Sequence, residues 1–169
     1  MVTDDVRNQL IVDDVLAALR AGRSPLVLTH RTDHLDRLAI ALSEAAADVI
    51  VLKGGMGKKQ RKEAAARVAA LPSDKPRVIV ATGSYIGEGF DDSRLDTLFL
   101  TMPISWRGTL QQYVGLLHRI HHGKVVVRVY EYVDVLIPML VRMYGRRLKG
   151  YRAIGHELGP IEPRQPDLQ

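Results

Sequence analysis

Hydrophobic positions along the chain switch repeatedly between two periods. From residue 4 to 22, Val6, Leu10, Val15, Leu16 and Leu19 fall on one helix face, and Gly22 followed by Ser24 and Pro25 ends the run. Residues 25–30 (PLVLTH) are short, aliphatic and bounded by a proline and a charged turn, which predicts a buried strand. Leu35, Leu38, Ala39, Leu42 and Ala45 return to the helical period, with Thr32 or Asp33 placed to cap the helix start. Residues 48–53 (DVIVLK) predict a second strand.

The alternation continues to the C-terminal third. A helix is expected from the glycine-rich turn at Gly54–Gly57 to about Leu71, where Pro72 breaks it, and a third strand over 77–81 enters a loop containing glycines. A fourth strand is predicted over 96–102, a helix over 109–121 stopped by Gly123, a fifth strand over 124–132, and a last helix over 135–149 with Pro138 in its first turn. Strands apolar on both faces, alternating with helices, predict an α/β fold with a mostly parallel sheet covered on both sides. Ligands of such sheets bind at the carboxyl ends of the strands. The loops 30–33, 53–59, 82–91 and 103–109 therefore share one working edge.

Composition narrows the class. With 169 residues and 46% hydrophobic content the chain makes one domain. No apolar run approaches a membrane span, and the acidic, polar start lacks the form of a secretory signal, so no membrane contact and a cytoplasmic location are expected. The absence of cysteine removes disulfides, thiolate metal sites and thiol nucleophiles. Twenty-four Lys and Arg against 19 Asp and Glu give a net charge of +5, distributed unevenly. Lys53–Arg67 carries six cations and one anion, and Arg142–Arg152 carries five cations and no anion. Both segments are candidates for phosphate contacts or for solvated helix faces. Arg142, Arg146, Arg147, Lys149 and Arg152 are read as an outer face that is either simply solvated or a docking surface.

Two segments carry chemistry. Residues 78–91 (VIVATGSYIGEGFD) place a strand before a loop with glycines, a hydroxyl and two acids; glycine lets backbone N–H groups approach phosphate, and a carboxylate accepts from a ribose hydroxyl. Gln112, Gly115 and Arg119 fall at i, i+3 and i+7, on one helix face from which the arginine can reach a nucleotide. The histidines His118, His121 and His122 have a spacing that could surround a metal, but no helical carboxylate completes the set, so no metal site is expected. His30 and His34 read as surface or loop histidines. Packing is the favoured role for Trp106 and Arg107, with base stacking the alternative.

In this order, separated by a strand, the two segments resemble motifs V and VI of superfamily 2 helicases and translocases, nearest to the restriction-type (type III Res-like) DEAD/DEAH family. The residues concerned are Ala81-Thr82-Gly83, Glu88-Gly89-Phe90-Asp91, residues 102–109, and Gln112, Gly115 and Arg119, followed by Gly123-Lys124. Residues 25–31, ending in His30-Arg31, look like motif IV, and Gly54-Gly55 with Lys58-Lys59-Gln60-Arg61 occupies the place of the family's glycine and Gln-Arg pair.

The resemblance implies a RecA-like three-layer α/β/α sandwich: an N-terminal helix over 1–22, a helicase C-terminal domain over 23–155, and a tail or linker over 156–169. It implies the second motor domain of an ATP-dependent DNA helicase or translocase. Thr82, Gly83, Gly55, Lys58, Lys59 and Arg31 would contact nucleic-acid phosphates. Glu88, Gly89, Asp91 and Gly115 would face ATP. Gln112 and Arg119 would serve catalysis, with Arg119 as an arginine finger.

Two departures qualify this. A second arginine expected after Gly115 is Leu116, so either hydrolysis is poor, or Arg119 suffices, or the leucine is an introduced change, the alternative being a plain core residue of the helix; on the motor reading Leu116→Arg should raise turnover. Neither a phosphate-cradling GxxxxGK[ST] loop nor a DExx acid occurs, so the chain alone should not turn over ATP. ATP with Mg2+ would then be used only with a first RecA-like domain, supplied by a longer protein or a separate subunit. The alternative is a catalytically degenerate helicase-like domain acting as a non-enzymatic docking or regulatory module.

Overall fold

A computed structural model of the chain describes residues 4–45, 48–86, 90–104, 109–119 and 121–159. The elements are α1 (Asp5–Arg20), β1 (Pro25–Thr29), α2 (Thr32–Ala45), β2 (Val49–Leu52), α3 (Lys58–Ala70), β3 (Val78–Thr82), α4 (Gly83–Ile86), β4 (Thr97–Leu100), α5 (Gln111–Leu117), β5 (Arg128–Glu131) and α6 (Pro138–Ala153). The five strands form one sheet in the order β2-β3-β1-β4-β5, and every neighbouring pair is parallel.

Strand alternation divides the core into two. Leu26, Leu28, Ile50, Leu52, Ile79, Ala81, Leu98 and Leu100 point to the face covered by α3, α4, α5 and α6. Val27, Val78, Val80 and Phe99 point to the opposite face, against Ile11, Val12, Val15 and Ala18 of α1 and Leu35, Leu38 and Leu42 of α2. This is the expected three-layer sandwich, and burial on both faces explains why the strands read as unbroken apolar runs.

Buried charges tie the layers together. Arg7 of α1 donates to the carbonyls of Thr101 (2.9 Å) and Tyr132 (3.1 Å), joining the ends of β4 and β5. Asp92 accepts from Arg77 Nη2 (2.7 Å) and Arg94 Nε (3.0 Å), while Arg94 reaches the last carbonyls of α3 at Val68 and Leu71. Burial opposes ionisation of Asp92, yet the bonds from Arg94 and Arg77 hold its carboxyl below the usual range.

Several expectations change. His34 is fully buried rather than a surface or loop residue: Nδ1 lies 3.1 Å from Thr29 Oγ1 and Nε2 3.0 Å from Asn8 Oδ1. Burial, aided by Arg7, pushes its pKa down to about 4, so the imidazole is neutral. Arg147 is not on an outer face. It is 4% exposed and grips Glu131 through Nε (2.9 and 3.0 Å) and Nη2 (2.8 Å), while Nη1 donates to Ile104 O (2.8 Å). The fifth strand starts at Arg128, not Lys124, because Lys124 turns away to donate to Leu117 O (2.9 Å) and Arg119 O (2.7 Å), where it caps α5. That cap also ends α5 early, at Leu117, and α4 was not anticipated at all. Trp106, Arg107 and residues 160–169 lie outside the described residues.

Candidate functional site

Because all strands run the same way, their following loops gather at one edge. There Gly54 after β2 donates its N–H to Thr82 Oγ1 at the end of β3 (2.7 Å), and Thr82 Oγ1 lies 3.1 Å from Ser84 Oγ. Thr82 is buried with its hydroxyl engaged internally, whereas Ser84, two residues on, is exposed. The Ser84 hydroxyl too is turned inward, against Thr82 and Gly54. Glycine is required at two places. A Cβ on Gly54 would collide with Ser84 Oγ, and one on Gly83 would strike the Tyr113 hydroxyl and the His30 ring. Loops following β1, β2 and β3 thus converge with α5 through backbone-close contacts.

Cations flank this corner. Lys58 and Lys59 are exposed in the first turn of α3, beside an open depression of about 380 Å³ lined by Val51, Lys53, Gly54, Gly55, Met56 and Gln60. Gly55 is exposed with φ +82, a conformation suited to glycine. The Gln-Arg pair has local work: Gln60 Oε1 accepts from Gly57 N–H (3.2 Å), and Arg61 donates to Met56 O (3.0 Å) with its guanidinium 5.6 Å from the Tyr85 ring centre. Lys59 lies 4.0 Å from Glu63, Lys53 pairs with Asp36, and exposed Arg31 pairs with Asp33 at 2.8 Å.

On α5 the exposed and buried sides separate as the spacing of Gln112 and Gly115 predicts, but the helix ends at Leu117, so Arg119 does not share its face. Gln112 and Gly115 are exposed, and Arg119, just past the helix end, lies 3.6 Å from Asp91 with its side chain 58% exposed. The opposite side, Tyr113, Val114, Leu116 and Leu117, is buried in the core. Leu116 is 7% exposed and packs as a core residue. An exposed Arg–Asp pair of this kind is worth only about 0–1 kcal/mol. Glu88 and Gly89 lie outside the described residues. Of the nucleotide set the structure pairs Asp91 with Arg119, at the end of the sheet where the strands begin, because Asp92 is held by Arg77 just before β3 and Arg119 O by Lys124 just before β5. Residue 91 is therefore not on the carboxyl edge with Gly55, Lys58, Lys59, Thr82 and Gly83. Arg31 sits on the neighbouring loop after β1.

Among the described residues, no group of three or more His, Cys, Asp or Glu side chains is arranged to hold a metal. No helix of the described residues is long and apolar enough to cross a membrane.

The parallel sheet, its two helical layers and the loops at one carboxyl edge make the RecA-like α/β fold. Three solved structures share it. T4 UvsW superposes with a TM-score of 0.70 at 16% identity, over 88% of this chain and 32% of its own. The C-terminal part of the Fun30 ATPase domain gives 0.65 at 14% identity, over 79% and 42%. The E. coli DEAD-box protein SrmB, bound to regulator of ribonuclease activity A (RraA), gives 0.64 at 22% identity, over 85% and 79%. The chain spans about a third of the first and two-fifths of the second. No protein-family model and no curated protein matches the sequence.

Proposed function

We propose that the chain is the second RecA-like motor domain of an ATP-dependent helicase or translocase acting on DNA through backbone contacts. The observation that carries this reading is the exposed pair of Arg119 and Asp91 at 3.6 Å, with Gln112 and Gly115 exposed on α5. An exposed cation next to a carboxylate suits a nucleotide bound edge-on, with Asp91 toward the ribose and Arg119 toward the γ-phosphate. ATP, with Mg2+ held by acids of the first RecA-like domain, would lie between the two domains. Lys58, Lys59 and Gly55, with Thr82 and Gly83 through their backbone N–H groups, would hold strand phosphates; charged amines and backbone N–H groups recognise them without reading sequence. Arg31 would leave Asp33 to join them.

Leu116 favours a second reading. Its burial leaves α5 with one outward arginine instead of two, as in a degenerate domain that docks or regulates a partner. ATP turnover in the presence of the first RecA-like domain separates the two. If Arg119 is the finger, Arg119→Ala lowers turnover by on the order of 10³-fold while leaving the chain folded. Equal turnover of wild type and Arg119→Ala in an assembled complex would support the docking module.

A further inference from the structure

The imidazoles of His118 and His156 meet Nε2 to Nε2 at 3.0 Å, their rings nearly perpendicular at 86°. They come from distant parts of the chain. His118 is the residue on which α5 ends, and His156 follows the C-terminal end of α6 just beyond Gly155, whose φ of +85 turns the chain back. The turn is closed by His156 N–H donating to Tyr151 O at 2.9 Å, and the Tyr151 ring centre lies 5.9 Å from that of His156. Backbone and ring packing therefore fix where His156 points, independently of its partner.

Two ligand nitrogens on a tetrahedral ion, each about 2.0–2.1 Å from the metal, stand about 3.3 Å apart. A small outward movement of either ring brings this pair to that separation. His118 is exposed and His156 half-buried, which leaves the remaining coordination positions open to water. We infer that His118 and His156 form a bidentate site for a divalent first-row transition ion of the kind that prefers imidazole, such as Zn2+ or Co2+. The ion would clip the end of α5 to the end of α6. The site stands apart from the motor reading; where that reading also holds, the clip fixes the turn that carries Arg119.

Titration of the purified chain with Zn2+ alone, followed calorimetrically at pH 7.5, tests this, with Co2+ absorption as an independent view of the ligand set. One equivalent should bind, the thermal midpoint should rise with Zn2+, and His118→Ala and His156→Ala should each weaken binding at least tenfold. His122→Ala should bind as wild type. A folded chain that takes up no Zn2+, or one whose binding is unchanged by either substitution, overturns the assignment. So does an equal loss in His122→Ala, which would mark non-specific histidine binding.

Discussion

Arg147 offers the sharpest energetic test of the packing. Its guanidinium makes two bonds to Glu131 through Nε, pairs through Nη2 at 2.8 Å, and donates to Ile104 O, and the Tyr151 hydroxyl completes the cluster on Glu131 at 2.6 Å. Arg147→Ala leaves the Glu131 carboxylate, only 9% exposed, without its counter-ion and the Ile104 carbonyl without its donor. Removing one partner of a buried pair costs about 3–5 kcal/mol, because the remaining charge is uncompensated. For a domain of this size that is a fall in melting temperature of roughly 6–20 °C. Urea unfolding followed by circular dichroism measures it. Arg146→Ala, at an exposed position on the same helix, should stay within about 0.5 kcal/mol of wild type. Replacing both partners, Glu131→Gln with Arg147→Met, removes the buried charge and should recover much of the loss. Equal stabilities for Arg147→Ala and Arg146→Ala would refute the reasoning and return Arg147 to the outer face.

Two further outcomes follow from buried side chains. The folded-state pKa of His34, about 4, lies below the unfolded value near 6.5, so the unfolded chain binds a proton that the folded chain refuses. Stability from this group is complete above pH 6.5 and falls as pH drops toward 4, by roughly 2 kcal/mol at pH 5; comparing urea midpoints at pH 7 and pH 5 should show a smaller drop in His34→Gln than in wild type. Leu116→Arg, which the motif comparison alone expects to raise turnover, should instead force a cation into the core and cost on the order of 3 kcal/mol, seen as a lowered urea midpoint with no gain in ATP hydrolysis.

The parts of this molecule legible in its sequence are those set by periodicity. Strands buried on both faces, such as β1 and β3, produce unbroken aliphatic runs, and their alternation with helices dictates a parallel sheet and hence a single edge of loops. The exposure of Gln112 and Gly115 on α5 follows from their spacing, whereas Arg119 lies past the helix end and is not placed by it. What escaped depends on long-range contacts that no local pattern encodes. Arg147 lies in a run of cations, and only Glu131, sixteen residues away, draws it inward. His34 is buried because Asn8 of α1 and Thr29 of β1 supply its hydrogen bonds. Lys124 leaves the strand period to cap α5, and Thr82 turns its hydroxyl to the Gly54 N–H rather than outward.

The most direct test of a phosphate-tracking motor domain is fluorescence anisotropy of a labelled single strand and a labelled duplex titrated with the chain over a salt series, beside Lys58→Glu/Lys59→Glu. The reading predicts affinity that falls steeply with salt, and a log–log slope shallower by about 1–2 in the double variant, matching the loss of two phosphate contacts. Absence of binding even at low salt, or binding whose affinity and slope are the same in the variant, would contradict it.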